Sequence, residues 1–243
     1  MKRAIDVAPF GELSEPRVVA ELAQRAEAAG FDGFFVWDHV AYREPVTHVA
    51  DPWVTLAAVA LATSRVTIGP MITPLPRRRT HQLARETVTL DRLSGGRLIL
   101  GVGIGSERTG EFDPARFGEE GDMRERARML DEGLDQLVRY WDGEFEPRPV
   151  HGRIPVWVGG RWPRKKPLER AKRWQGYFPV ETQTPDDVRE MRAALGDEFP
   201  IIVNCGPGED SAPWFAAGAT WTLTDFGSEP TVEAVQRAID AGP

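Results

Sequence analysis

"PRVVAELAQRAEAAGFDGFFVWDH", residues 16–39, reads as one helix followed by one strand, and this unit decides the fold. Val18, Val19, Leu22, Ala26 and Ala29 recur at helical spacing, and Gly30 stops the helix. Phe34, Phe35, Val36 and Trp37 then form a short apolar run of the kind a buried strand displays. The run ends on Asp38 and His39, two titratable residues with no spacer. A strand that only fills a core has no reason to end this way.

The same alternation extends in both directions. Ile5–Phe10 is a short apolar run before the first helix. Downstream, Asp51-Pro52 opens a helix as N-cap and first helical residue. "VTIGPMIT" (66–73) is a third strand, His81–Leu93 a helix closed by Ser94-Gly95-Gly96, and "RLILGVGIG" (97–105) a fourth strand. A polar connection, Ser106–Asp122, delays the next helix to Arg124–Trp141. Strands at Pro155–Gly159, Gly176–Val180, Pro200–Cys205 and Ala219–Asp225 alternate with helical stretches at 167–174, 186–195, 212–217 and 232–241. Eight repeats predict a single α/β domain over residues 1–243, a compact (β/α)8 TIM barrel with short insertions. A doubly wound open sheet would need fewer repeats or more chain. Active sites of such barrels form at the C-terminal strand ends. That face would carry Asp38 and His39, Met71–Pro74, Gly103–Glu107, Gly159–Trp162, Cys205–Glu209 and Asp225–Ser228.

Composition narrows the chemistry. No apolar run approaches the ~20 residues of a membrane span, and the first residues do not read as a signal peptide. Cys205 is the only cysteine, so no internal disulfide or thiolate metal cluster is expected, and a cytoplasmic location follows. A net charge of −7 argues against a nucleic-acid binder. Arg77-Arg78-Arg79 is the one dense basic run, either a solvated loop or an anion contact. None of the four lysines falls in a predicted strand, which disfavours Schiff-base chemistry. His39, His48, His81 and His151 form no His-x-His pair, so no metal centre is predicted. Glu107 and Asp225 could serve as a glycosidase pair, but nothing around them suggests carbohydrate.

"GVGIGS" (101–106) lacks the third glycine of a dinucleotide fingerprint and opens into no helix. Gly103 and Gly105, and Gly159-Gly160 in "VGGRW", instead remove side chains where a flat ligand or neighbouring backbone approaches. Two glycine-floored strand ends side by side favour a cofactor platform. Gly206 and Gly208 in "NCGPGED" (204–210) offer backbone amides to a phosphate, or form a plain turn.

Together "AELAQRAEAAGFDGFFVWDHV", "LAAVALATSRVTIG", "RETVTLDRLSGGRLILGVGIGSE" and "IPVWVGG" closely resemble the bacterial luciferase-like flavin-dependent oxidoreductases, over about residues 15–160. The resemblance implies a (β/α)8 barrel that binds reduced FMN or the deazaflavin coenzyme F420. The activity it implies is oxygen activation or hydride transfer on a small organic substrate. His39 and Glu107 would be the catalytic pair, and Asp38 would sit against the cofactor. Pro70, Met71, Ile72 and Thr73 would back the ring system, Gly103, Gly105 and Ser106 would form one wall, and Gly159, Gly160 and Arg161 another. Ser106 stands where some deazaflavin-dependent members carry a catalytic glutamate, and Glu107 comes one residue later. Trp37 is expected in the core. Many relatives pair, so a homodimer is expected; Trp53 and the Leu56–Val59 face could support it, with core packing the default explanation. The competing readings are a non-catalytic flavin-binding barrel that has lost its substrate pocket and a flavin-independent phosphate-binding barrel.

Overall fold

The computed structural model describes residues 1–243. Nine short strands run parallel: β1 Lys2–Val7, β2 Gly33–Val36, β3 Thr67–Pro70, β4 Thr73–Pro74, β5 Leu100–Gly103, β6 Val156–Arg161, β7 Gly176–Val180, β8 Ile202–Cys205 and β9 Trp221–Asp225. They form two sheets, in the orders β3-β2-β1-β9-β8 and β4-β5-β6-β7. Isolated parallel bridges Ile68–Leu98 and Tyr177–Ile201 join the sheets at both edges. β3 and β4 are two halves of one barrel strand, interrupted at Met71-Ile72, where the peptide bond is cis. The architecture is thus the eight-repeat (β/α)8 barrel.

The helices wrap the outside: α1 Pro16–Ala29, α2 Pro52–Ala62, α3 Thr80–Leu93, α4 Pro114–Phe117, α5 Met123–Arg139, α6 Lys165–Ala171, α7 Pro185–Leu195, α8 Ala212–Ala217 and α9 Val232–Ala241. α1 ends where Gly30 takes φ 100°, a left-handed value that glycine adopts without steric cost. α2 starts on Asp51, whose Oδ1 accepts from the Val54 N–H at 2.9 Å. Val19, Leu22, Ala23 and Ala26 are the buried stripe of α1. They belong to a 45-residue apolar core between strands and helices.

A smaller cluster of Ala4, Phe35, Met71, Trp157, Phe178, Ile202, Trp221 and Leu223 plugs the barrel interior. Side chains alternate along a strand, so the next inward positions lie two residues further on. These are Asp6, Trp37, Gly159, Val180, Asn204 and Asp225. The apolar plug is therefore overlaid by a layer that brings in three polar side chains, Asp6, Asn204 and Asp225, and that layer faces the C-terminal end.

Two sequence expectations shift. The first strand begins at Lys2 rather than Ile5; the Ala8-Pro9-Phe10 stretch leaves the sheet, and Phe10 bridges antiparallel to Val49. One lysine therefore does lie in a barrel strand. It sits at the N-terminal end, its Nζ 4.9 Å from the Trp221 ring and remote from the strand ends that carry chemistry. Trp53, Leu56 and Val59 are core residues; the apolar residues α2 exposes are Val54 and Leu61.

Candidate active site

A cavity of about 620 Å³ opens at the C-terminal strand ends, a size suited to a cofactor or drug-sized ligand. His39 lines it just beyond β2. The pleat that turns Trp37 and His39 toward the cavity turns Asp38 the other way. Trp37, expected in the core, is therefore a wall residue, its indole Nε1 donating to Asp6 Oδ2 at 3.2 Å.

Asp38 is buried in a polar knot outside the cavity. Its carboxylate accepts from Thr73 Oγ1 at 2.7 Å, Trp53 Nε1 at 3.2 Å and Arg78 Nη2 at 3.0 Å, and also from Arg77. Arg77 reaches a second carboxylate as well, that of Glu111. Glu111 comes from the long connection after β5 and is wholly buried. Its Oε2 lies 2.6 Å from His39 Nδ1, its Oε1 accepts the Val40 N–H at 2.6 Å, and Thr109 Oγ1 donates to it at 2.9 Å. Burial works to raise the Glu111 pKa. The hydrogen bond and charge of His39, with the Arg77 guanidinium, more than offset this and hold it below the usual carboxylate range. An ionised Glu111 requires a proton on His39 Nδ1. Nε2 is then the ring atom left for the cavity, where it has no hydrogen-bond partner within the chain.

Arg77 and Arg78 are thus internal ion-pair partners, not solvated or poised for an external anion. Glu111 escaped the sequence reading. It lies in a loop without periodicity, and the only hint of it was that a working histidine needs a partner for its second nitrogen.

Met71 and Ile72 line the cavity, whereas Pro70 and Thr73 are buried behind it. The glycine floors make room for protein rather than directly for ligand. A Cβ on Gly103 or Gly159 would fall 2.4 or 2.3 Å from Ile72 Cδ1, and one on Gly105 2.0 Å from the Phe112 ring. Gly105, Ser106, Gly159, Gly160 and Arg161 reach the cavity wall. Gly206 and Gly208 do not: the Gly206 N–H donates to Glu209 Oε2 at 2.8 Å, so a carboxylate of the chain already occupies that turn. Glu107 lines the cavity with its side chain exposed, and its Oε1 lies 3.3 Å from Arg126 Nη2.

One wall is cationic. Arg108, Arg126, Arg161, Arg164 and Arg170 line it against Glu107 and Glu181, within a chain of net charge −7. Arg170 is neutralised by bonds to Asp131 at 2.7 and 2.9 Å. Arg126 is 1% exposed and packs over the Phe112 ring at 4.2 Å, and its Nε and Nη1 have no partner. A buried guanidinium left this short of acceptors suits a site that receives an anionic group.

The sequence model of the luciferase-like monooxygenase family matches residues 5–198. The F420-dependent glucose-6-phosphate dehydrogenase of Nakamurella multipartita is 34% identical over 167 residues, a match taking in 61% of this chain and 48% of that one. Two solved structures share the fold. An F420-dependent secondary alcohol dehydrogenase in complex with an F420–acetone adduct superimposes with a TM-score of 0.78 at 17% identity, covering 98% of this chain and 97% of that one. The monooxygenase RslO1 from Streptomyces bottropensis does so with 0.75 at 19%, covering 99% and 97%.

Proposed function

The chain belongs to the luciferase-like monooxygenase family, and from that premise we propose that it is an oxidoreductase that transfers hydride between coenzyme F420 and a small organic substrate. The observation that carries this reading is the His39–Glu111 pair at the cavity wall, 2.6 Å apart. A non-catalytic binder has no use for an imidazole whose tautomer is fixed by a buried carboxylate while its other nitrogen faces the ligand.

The residues present fit the cofactor. Ile72, seated on Gly103 and Gly159, and its neighbour Met71 would support its ring, and the Arg126, Arg161 and Arg164 wall would hold its anionic arm. When bound, the deazaflavin supplies a carbon that gives or accepts hydride. His39 Nε2 would exchange the accompanying proton with a hydroxyl or carbonyl of the substrate. Glu111 would keep the ring in the tautomer that allows it, and Trp37 and Tyr42, packed against His39, would exclude water from one side. Glu107 is a wall residue for the substrate in this reading, its carboxylate engaged by Arg126.

A second reading, reduced FMN with oxygen activation, is favoured by Ser106, which stands where some deazaflavin-dependent members carry glutamate. No helix is long and apolar enough to cross a membrane. The single, buried cysteine supports a cytoplasmic setting. The test is to incubate the protein with F420 and a panel of secondary alcohols and sugar phosphates, following F420 absorbance. Parallel incubations use reduced FMN and oxygen. F420 reduction supports the first reading and oxygen-dependent product the second; binding of neither cofactor refutes both.

A further inference from the structure

Asp6 and Asp225 are direct partners in the register of β1 and β9, and both point into the barrel above the Ala4 and Leu223 layer. Asp6 is fully buried. Asp225 is half-buried and lines the closed end of the cavity. The groups facing them from the surrounding elements are uncharged. Trp37 beyond β2 donates to Asp6 Oδ2 at 3.2 Å. Asn204 of β8 donates to Asp225 Oδ2 at 2.8 Å, and the Gly227 N–H donates to Asp225 Oδ1 at 2.9 Å. Neither carboxylate forms an ion pair; in the cationic wall Arg126 pairs with Glu107, Arg108 and Arg161 with Glu181, and Arg170 with Asp131.

Two further atoms are anomalous. Asp6 Oδ1 and Asn204 Oδ1 are buried acceptors with no partner. An ionised Asp6 beside an ionised Asp225, with no cation and an unsatisfied oxygen, would combine desolvation with like-charge repulsion. Proton uptake relieves both costs at once.

We propose that Asp6 and Asp225 hold a proton between them at the closed end of the cavity, and that Asp225 presents it to the bound ligand as a second proton station, separate from His39. The ligand group it meets carries a lone pair: a carbonyl or alkoxide oxygen, or a ring nitrogen. In the transfer step the O–H bond of the carboxyl breaks as the new bond forms to that atom. The electron pair remains on the Asp225 carboxylate, where Asn204 and the Gly227 N–H hold it. No oxidant or reductant enters this step. Burial and the neighbouring charge of Asp225 push the Asp6 carboxyl well up, and burial likewise raises Asp225.

The use made of the proton rests on the proposed function; its presence does not. Infrared spectroscopy of the ligand-free protein separates the two. The carbonyl band of a protonated carboxylic acid is expected at neutral pH, titrating above the ordinary carboxylate range. In Asp6→Asn, which removes the like charge, the band should weaken and titrate at lower pH, because only the partial burial of Asp225 then holds a proton. Absence of the band in the wild type overturns the proposal, as does a band unchanged in both Asp6→Asn and Asp225→Asn. The wild-type pH titration tests the shared proton without any variant. Saturation with F420 or reduced FMN should shift the band, and a bound cofactor that leaves it unmoved overturns the role of Asp225 toward ligand. If neither cofactor binds while the band persists, the functional reading and the role toward ligand fail, and the shared proton stands.

Discussion

Glu111 Oε2 and His39 Nδ1 lie 2.6 Å apart although 72 residues separate them in sequence, and the acid is fully buried while the ring reaches the cavity. The pair converts a histidine at a strand end into one with a defined tautomer. Glu111→Gln preserves shape but removes the charge that holds the Nδ1 proton. A hydrogen bond to a charged group contributes about 1.5–3 kcal/mol, so kcat should fall roughly 10- to 100-fold with little change in cofactor affinity. An unchanged kcat would show that His39 needs no such partner.

Arg77 is the one cation shared by Asp38 and Glu111, and its side chain is 3% exposed. Arg77→Ala leaves two buried carboxylates with Arg78 as the one remaining arginine, which reaches Asp38 but not Glu111. Breaking a buried network this way costs about 3–5 kcal/mol, and the melting temperature should drop by about 10 °C or more. Arg77→Lys should recover little, because one ammonium cannot bridge two carboxylates as a planar fork does. Calorimetry of the two variants checks this.

How much of this was visible in the sequence follows from which patterns are periodic. The helix-strand unit at 16–39 and its repeats were legible because burial on one helical face or in a strand leaves spacing behind. Glu111 was not legible, since a loop residue is positioned by tertiary contacts that leave no period. Arg77 and Arg78 were misread because a run of arginines looks solvated unless its acidic partners, 34 and 39 residues away, are known. The glycines were recognised as places of close approach. That Ile72 and Phe112 are what approaches depended on the chain path. The neighbouring acids Asp6 and Asp225 lie at opposite ends of the sequence, and only barrel closure brings them together.

Glu27 accepts backbone N–H bonds from Ser64 at 3.0 Å, Arg65 at 2.6 Å and Val66 at 2.8 Å, tying the end of α1 to the turn before β3. Partial burial acts to raise its pKa, but these bonds bring it down to about 2. A depressed carboxylate stabilises the fold above its unfolded pKa of about 4.3 and loses that contribution as pH falls through the folded value. Glu27→Gln should therefore melt below the wild type at neutral pH, with the gap closing between about pH 4.3 and pH 2. A gap independent of pH would mean that the charge plays no part.

On α2, Val54 and Leu61 are 63% and 74% exposed while the opposite face packs in the core. A helix apolar on both faces suits a covered surface, and the proposal here is a homodimer through this face. Light scattering should give about twice 27.0 kDa, and Leu61→Asp should give monomers. A monomeric wild type would remove the proposal.

In the proposed function the His39 cavity is a deazaflavin site whose histidine acts in chemistry rather than in binding. A fluorescence titration of F420 with the wild type, His39→Ala and Arg126→Ala tests it most directly. The account predicts saturable one-to-one binding by the wild type and nearly unchanged affinity for His39→Ala. For Arg126→Ala it predicts affinity about tenfold or more weaker, as loss of a charge-assisted contact implies. Absence of saturable binding by the wild type, or loss of it on removing His39, would contradict the account.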